Sequence, residues 1–366
     1  MEMSQGNALG KIAIVCPTSS GNAVGRAVCL FLASERLTDT RLFLLSDGPL
    51  WLGANGVRRF VTGVTSETNL HSLLDDFALG QNVTLWHVKP FGQTLRWCES
   101  YVNERKAKSS VVVDVDDDDV GLGAEFRRNR RLNRMILNPF REASPERIRR
   151  TLSQVIRKFP VSTSSRSLDE FLQLNSSLVI PHVRDSNPRL ESPTDLELPR
   201  FGFFGTLRPH KGLQYIKNFI QTSGGEFEFH FLEDPSIQQE FRGSRNVVFH
   251  KSVSIEDLIA LYGLIDVVLL PQSNLSSGSR YQFPAKLVDA LQFRRVIIAT
   301  PTPPIMEWAG NAVEPLSDWS DEEEIWRALD SARLRHWDHQ MRADTAFAGL
   351  TVESQIANLD SFLRCL

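Results

Sequence analysis

The sequence predicts an α/β protein of two successive domains, each a parallel sheet covered by helices on both faces. Three observations carry this. The chain has 366 residues, more than a single hydrophobic core usually organises. Short apolar runs alternate with segments of helical spacing along nearly its whole length, the pattern of βα units. Residues 184–199, RDSNPRLESPTDLELP, break that alternation with a Pro-, Ser- and Asp-rich stretch that has no apolar period. The expected division is a first domain over residues 1–185, a linker over 186–198, a second domain over 199–348 and a closing segment over 349–366.

The first strand is Lys11–Cys16, KIAIVC, a short apolar run bounded by a glycine loop and a helical pattern. The loop 17–25, PTSSGNAVG, is not GxGxxG. It reads equally as a tight turn or as a ligand contact through Gly21 and Asn22. Further strands are expected at Thr40–Leu45, 58–61, 83–86 and 110–115, with a helix over 93–106. In a parallel sheet the ligand lies beyond the carboxyl ends of the strands. That rule points at Gly21, at His87 and at the acidic run 114–119, DVDDDD.

The acidic run supports three readings. Its carboxylates could hold Mg²⁺ or Mn²⁺. They could form an acidic rim, including Asp116 and Asp117, that receives the hydroxyls or amine of an acceptor. Or they are a solvated loop start whose last aspartate caps the next helix. A basic stretch follows from Arg127 to Lys158, with RRNRRLNR and RIRR among spaced apolar residues. It reads as an amphipathic helix with a solvated face, or as a surface for peripheral contact with an anionic membrane. Strand 159–163, helix 168–172 and strand 178–181 complete this half.

The second half opens on 201–212, FGFFGTLRPHKG. An apolar strand meets Gly205 and Thr206, then Arg208 and Lys211, then a helical pattern over 211–221. A strand, a glycine turn and a helix start make an anion cradle, because free backbone N–H groups and the positive end of the helix dipole point into the turn. Arg208 and Lys211 suit a phosphate-bearing ligand. Strands are expected at 227–232, 246–250, 266–270 and 295–300, with a helix over 255–263. The loop 272–283 brings Ser277, Gly278 and Ser279 ahead of a helix starting at Pro284, placed at N1 where its missing N–H costs nothing. Lys286 sits near that helix start, where a cation conflicts with the dipole unless an anion offsets it. Asp289 lies about one and a half turns into the helix.

Composition sets the outer limits. Hydrophobic content of 42% and charged content of 23% are those of an ordinary globular protein. A net charge of -3 excludes a uniformly basic nucleic-acid binder, so no nucleic-acid partner is expected. Cys16, Cys29, Cys98 and Cys365 lack CxxC spacing and read as thiols of a reducing compartment. The first residues carry no apolar signal core, and no run is long enough to span a bilayer. A cytoplasmic enzyme is expected, with attachment to the inner face of a membrane left open.

FFGTLRPHKG followed by FPAKLVDALQFRRVIIAT resembles the paired signature of retaining glycosyltransferases of the two-Rossmann GT-B architecture, in particular their large family 4 (glycosyl transferases group 1). The resemblance covers most of residues 201–314. It implies two Rossmann-like domains facing each other across a cleft, with the last helix, 352–363, returning to the first domain. It implies transfer of a sugar from a nucleoside-diphosphate-sugar to an acceptor hydroxyl, without a metal or other cofactor. The acceptor would be a glycan, a lipid-linked molecule or a small molecule. Arg208 and Lys211 would hold the diphosphate, and Asp289, at the second acid of the family's E-x7-E pattern, would bind the ribose. The first acid of that pattern is replaced by Tyr281. The implied acceptor side is Gly21, Asn22, Asp116 and Asp117; His87, at the end of an earlier strand, reads either as a lesser acceptor-side candidate or as a satisfied structural histidine. The rival readings are a nucleotide-sugar epimerase or hydrolase on the same fold, and a non-catalytic partner subunit.

Overall fold

A computed structural model describes residues 9–105, 109–129, 145–187, 189–193, 196–207, 212–223, 225–255, 257–273 and 276–366. The first half runs β1 (Lys11–Cys16), α1 (Asn22–Ser34), β2 (Thr40–Leu45), β3 (Val61–Val64), α2 (Glu67–Ala78), β4 (Val83–Val88) and α3 (Gln93–Arg105). It continues with β5 (Ser109–Val115), α4 (Asp119–Asn129), α5 (Pro145–Lys158), β6 (Val161–Thr163), α6 (Arg166–Leu172) and β7 (Leu178–Val179). The second half runs β8 (Phe201–Phe203), α7 (Leu213–Thr222), β9 (Phe229–Leu232), α8 (Pro235–Glu240), β10 (Val247–His250), α9 (Leu258–Tyr262) and β11 (Val267–Leu270). Then come α10 (Ser277–Arg280), α11 (Ala285–Gln292), β12 (Val296–Ala299), α12 (Pro303–Trp308), β13 (Glu314–Pro315), α13 (Glu322–Ala348) and α14 (Val352–Arg364).

Among the described residues these strands form two parallel sheets, ordered β3-β2-β1-β4-β5-β6-β7 and β10-β9-β8-β11-β12-β13. In each, the order reverses beside the first strand, at β1/β4 and at β8/β11. A crevice opens where neighbouring crossovers leave on opposite faces, so these two reversal points are where ligands are expected.

The period of two along β1 explains why the first sheet is covered on both sides. Ile12 and Ile14 join α1 and Trp86 in one core, while Ala13 and Val15 join α2 and α3 in another. The second half is built around aromatic residues, with Phe201, Phe219, Phe229 and Trp319 fully buried in one core. α14 belongs to the second half by sequence but packs in the first core through Val352, Leu359 and Phe362, and Phe362 lies 6.2 Å from the Trp86 ring. The two chain crossings between the halves touch. Arg184 N donates to Leu350 O at 3.1 Å, and Val352 N donates to Arg184 O at 3.0 Å.

Several sequence readings shift. The strand expected at 58–61 begins only at Val61, after a 3-10 helix over Leu52–Phe60 that buries Ala54 and Val57. That i, i+3 spacing is the period of a 3-10 turn. Helix 255–263 is shorter, Leu258–Tyr262. Pro284 stands at the N-cap of α11, with φ -80 and ψ 120, rather than inside it at N1. α5 buries Leu152 and Val155 and turns Arg147, Arg149 and Arg150 outward; the preceding part of the basic stretch, 130–144, lies outside the described residues. No helix among the described residues is long and apolar enough to cross a membrane.

Candidate functional site

The turn after β8 is shaped by what surrounds Gly205. A Cβ there would stand 3.1 Å from the Phe203 ring and 3.4 Å from Lys286 Cε. The side chain of Lys286 therefore runs directly against the turn, which brings the two sequence motifs together in one place. A cavity of about 60 Å³ continues from Gly205 and Thr206 past Leu232, Glu233 and Ser252, at the carboxyl ends of β8, β9 and β10. Arg208 and Lys211 lie outside the described residues.

The helix-start conflict at Lys286 is resolved within its own helix. Lys286 Nζ donates to Asp289 Oδ2 at 2.9 Å, an i, i+3 pair. The other oxygen, Asp289 Oδ1, accepts from Arg184 Nε at 2.8 Å and lies 2.7 Å from Nη2. Asp289 is fully buried. Burial opposes its ionisation, yet Arg184 and Lys286 together hold its carboxyl below the usual range. Both oxygens are thus engaged by cations, and through Lys286 the buried Asp289 is linked to the Gly205 turn.

In the first half, Gly21 precedes α1 with φ 77 and ψ -161, a conformation open essentially to glycine alone. Gly21 and Asn22 are exposed. The acidic run divides. Asp114 is a core group, accepting from Arg26 Nη2 at 2.8 Å and from Ser162 Oγ at 2.7 Å. Asp116, Asp117 and Asp119 converge on Lys89, whose Nζ lies 2.6, 2.9 and 3.5 Å from their oxygens. Lys89 follows β4 directly with φ 78, a left-handed conformation unusual for lysine. Its ammonium occupies the centre that a divalent cation would need. Among the described residues no cluster of His, Cys, Asp and Glu is arranged to hold a metal ion. Burial raises Asp119 to about 7 against the pull of Lys89, and raises Asp116 as well.

His87 is a buried structural residue rather than an acceptor contact. It is fully enclosed, with Nδ1 2.8 Å from Lys89 O and Nε2 2.8 Å from Thr94 Oγ1. Burial lowers its pKa to about 4, so it stays neutral.

The halves meet over the site. Gln282 Nε2 donates to Asp117 Oδ1 at 3.0 Å. Tyr281 stacks on Phe171 with ring centres 4.0 Å apart. The carboxylate of Glu307 accepts from Arg166 N at 2.7 Å and Ser167 N at 2.9 Å, capping the start of α6 from the opposite half. A Cβ on Gly121 would lie 2.5 Å from Gly278 N and closer still to Ser277 Oγ. Ser277 and Gly278 therefore face α4 across the closed cleft, and Ser279 N donates to Ser276 Oγ at 3.3 Å. Of the expected row of backbone donors, Ser279 N is thus engaged by the side chain that caps its own helix.

Lys89, Arg184, Gln282 and Glu307 carry much of this geometry. Nothing in the local sequence marks them. The nearest signal is Lys89 itself, a cation ending an apolar strand ahead of an acidic run.

The chain has the fold of solved glycosyltransferases of the GT-B architecture. It superposes on HepE of Anabaena, solved with UDP and glucose, at TM-score 0.68 and 15% identity over 98% of this chain and 100% of that one. A sucrose-phosphate synthase from Thermosynechococcus elongatus matches at TM-score 0.62 and 12% identity over 97% and 98%. An α-glucosyltransferase solved with UDP and a 13-mer DNA matches at TM-score 0.62 and 9% identity over 97% and 100%. No family model matches the chain, and no curated protein matches it.

Proposed function

We propose that this protein is a glycosyltransferase that takes its sugar from a nucleoside diphosphate bound in the second half. The observation that carries the reading is the glycine turn at the β8/β11 reversal point, with Lys286 Cε against it, the Lys286 ammonium fixed by Asp289, and a cavity leading away along β9 and β10. A cation at the turn suits the diphosphate, and the cavity suits part of the nucleoside. Arg208 and Lys211, on the same turn in sequence, would join Lys286 in stabilising the charge that builds on the leaving group. An acceptor hydroxyl, arriving from the rim at Gly21, Asn22 and Asp117, would attack from the face the diphosphate leaves, which retains configuration. No metal is required in this scheme, because lysine and arginine neutralise the diphosphate and Lys89 already neutralises the acidic rim. Entry of the donor to Ser277 and Gly278 requires the halves to part, since α4 covers them.

Solved neighbours carry UDP, which makes it the first probe. Stabilisation by UDP, GDP, ADP and dTDP is measured by thermal shift, then release of the diphosphate from the matching sugar donor on an acceptor panel. A rise in melting temperature with one nucleotide is expected; no response to any of them sinks the reading. Lys211→Ala should remain folded while turnover falls by about a hundredfold or more.

A second reading, a non-catalytic partner subunit, draws on Tyr281. The residue in place of the expected acid is stacked on Phe171 across the cleft. Tight nucleotide binding without turnover on any acceptor would favour it.

A further inference from the structure

Arg184 occupies the point where four parts of the molecule meet. Its backbone pairs with Thr351, so it joins the two chain crossings between the halves. Its Nη1 lies 3.4 Å from Cys29 Sγ on α1 and donates to Val183 O at 2.8 Å. Its Nε and Nη2 reach Asp289 on α11. The side chain is only 7% exposed, so in this arrangement it is walled off from the cleft by the groups it binds. Asp289 passes the contact on, since its second oxygen holds Lys286 Nζ, and Lys286 Cε lies over Gly205.

We propose that Arg184 is a positioning residue for the donor site: from the crossing point of the two halves it fixes Asp289, which holds the Lys286 ammonium over the Gly205 turn. The proposal rests on the nucleotide-sugar reading above. Its physical basis is that a buried carboxylate keeps its charge and orientation only while its oxygens are engaged by cations or donors. Without the guanidinium fork, Asp289 is free to rotate or take up a proton, and Lys286 loses the partner that fixes its ammonium. Lysine at position 184 retains the charge but not the paired geometry of the fork. Because Arg184 also sits on the crossing, any shift of one half against the other acts directly on the group that fixes Lys286.

A double-mutant cycle tests this. The probe is whichever of UDP, GDP, ADP and dTDP stabilises the full-length protein most, and dissociation constants are measured by calorimetry. Circular dichroism and melting temperature without ligand establish that each variant is folded. Arg184→Lys, Asp289→Asn and Lys286→Met are each expected to weaken nucleotide binding on the order of tenfold or more, the scale of a lost charge-assisted hydrogen bond. In the Lys286→Met background, Arg184→Lys should then change binding little, because its route to the nucleotide is gone. Should Arg184→Lys fail to fold, the isosteric Asp289→Asn runs the same cycle against Lys286→Met. Losses that simply add, or a single variant at position 184 or 289 that binds as tightly as wild type, overturn the positioning role while the donor reading stands. If wild type responds to none of the four nucleotides, the donor reading fails and this proposal with it.

Discussion

The acidic run on the first half shows how much one lysine decides. Three aspartates converge on the Lys89 ammonium, and burial still raises Asp116 and Asp119, the latter to about 7. An acid with a raised folded value favours folding fully below its unfolded value near 4, and that contribution is lost as pH rises through about 7. Removing the cation deepens this. Lys89→Met leaves buried carboxylates without a counter-charge, at a cost on the order of 3–5 kcal/mol near neutral pH. The cost should shrink as pH falls from 7 toward 4 and the acids protonate. Melting temperatures of wild type and variant across that range are the check, and a gap independent of pH would show that Lys89 does not serve as the counter-charge. His87 acts in the other direction, because a histidine lowered to about 4 gives stability that is complete above about 6.5 and lost as pH falls toward 4. The variant is therefore compared with wild type, which carries the same histidine.

At the scale of elements, the closed cleft depends on the approach of two short helical backbones. Gly121 in α4 and Gly278 in α10 stand so close that a Cβ on Gly278 would lie 2.8 Å from Gly121 C. Backbone opposes backbone there, so no flexible side chain can yield. Gly278→Ala is expected to cost about 1–3 kcal/mol through overpacking, or to be accommodated by opening the cleft. Solution scattering and melting temperature separate these outcomes. An unchanged radius of gyration together with unchanged stability would mean that the glycines are not in contact in solution. The same approach sets Ser277 and Gly278, read from sequence as loop donors, at the start of α10 against α4. A loop's composition gives its local turn but not what a distant helix lays over it.

The whole molecule is tied together by α14. This helix follows the second half in sequence yet fills the first core, where Leu359 is fully buried. Leu359→Ala should cost about 2–5 kcal/mol, and the loss should fall on the first half. Hydrogen exchange read strand by strand is the check: faster exchange in β1 and β4 than in β8 and β11 is expected, and the reverse pattern would contradict the packing. The Arg184–Thr351 bridge lies immediately before this helix, so the return of the chain and the proposed support of Lys286 share one location.

The sequence by itself determined the alternation of strands and helices that builds the two parallel sheets, and it singled out the glycine turn at Gly205 and the helix carrying Lys286 and Asp289. These are legible because apolar period, turn chemistry and helix starts are local properties of the chain. It also exposed the tension at Lys286, though not its resolution. Only the tertiary structure decided which charges meet. Lys89 reaches Asp117 across 28 positions, and Arg184 reaches Asp289 across 105. It also gave both ring nitrogens of the buried His87 their partners, and made Asp289 the anchor of a lysine. Such partnerships depend on how strands are ordered and how two sheets face each other. No periodicity within either segment encodes them, because a buried charge finds its partner through space and not along the chain.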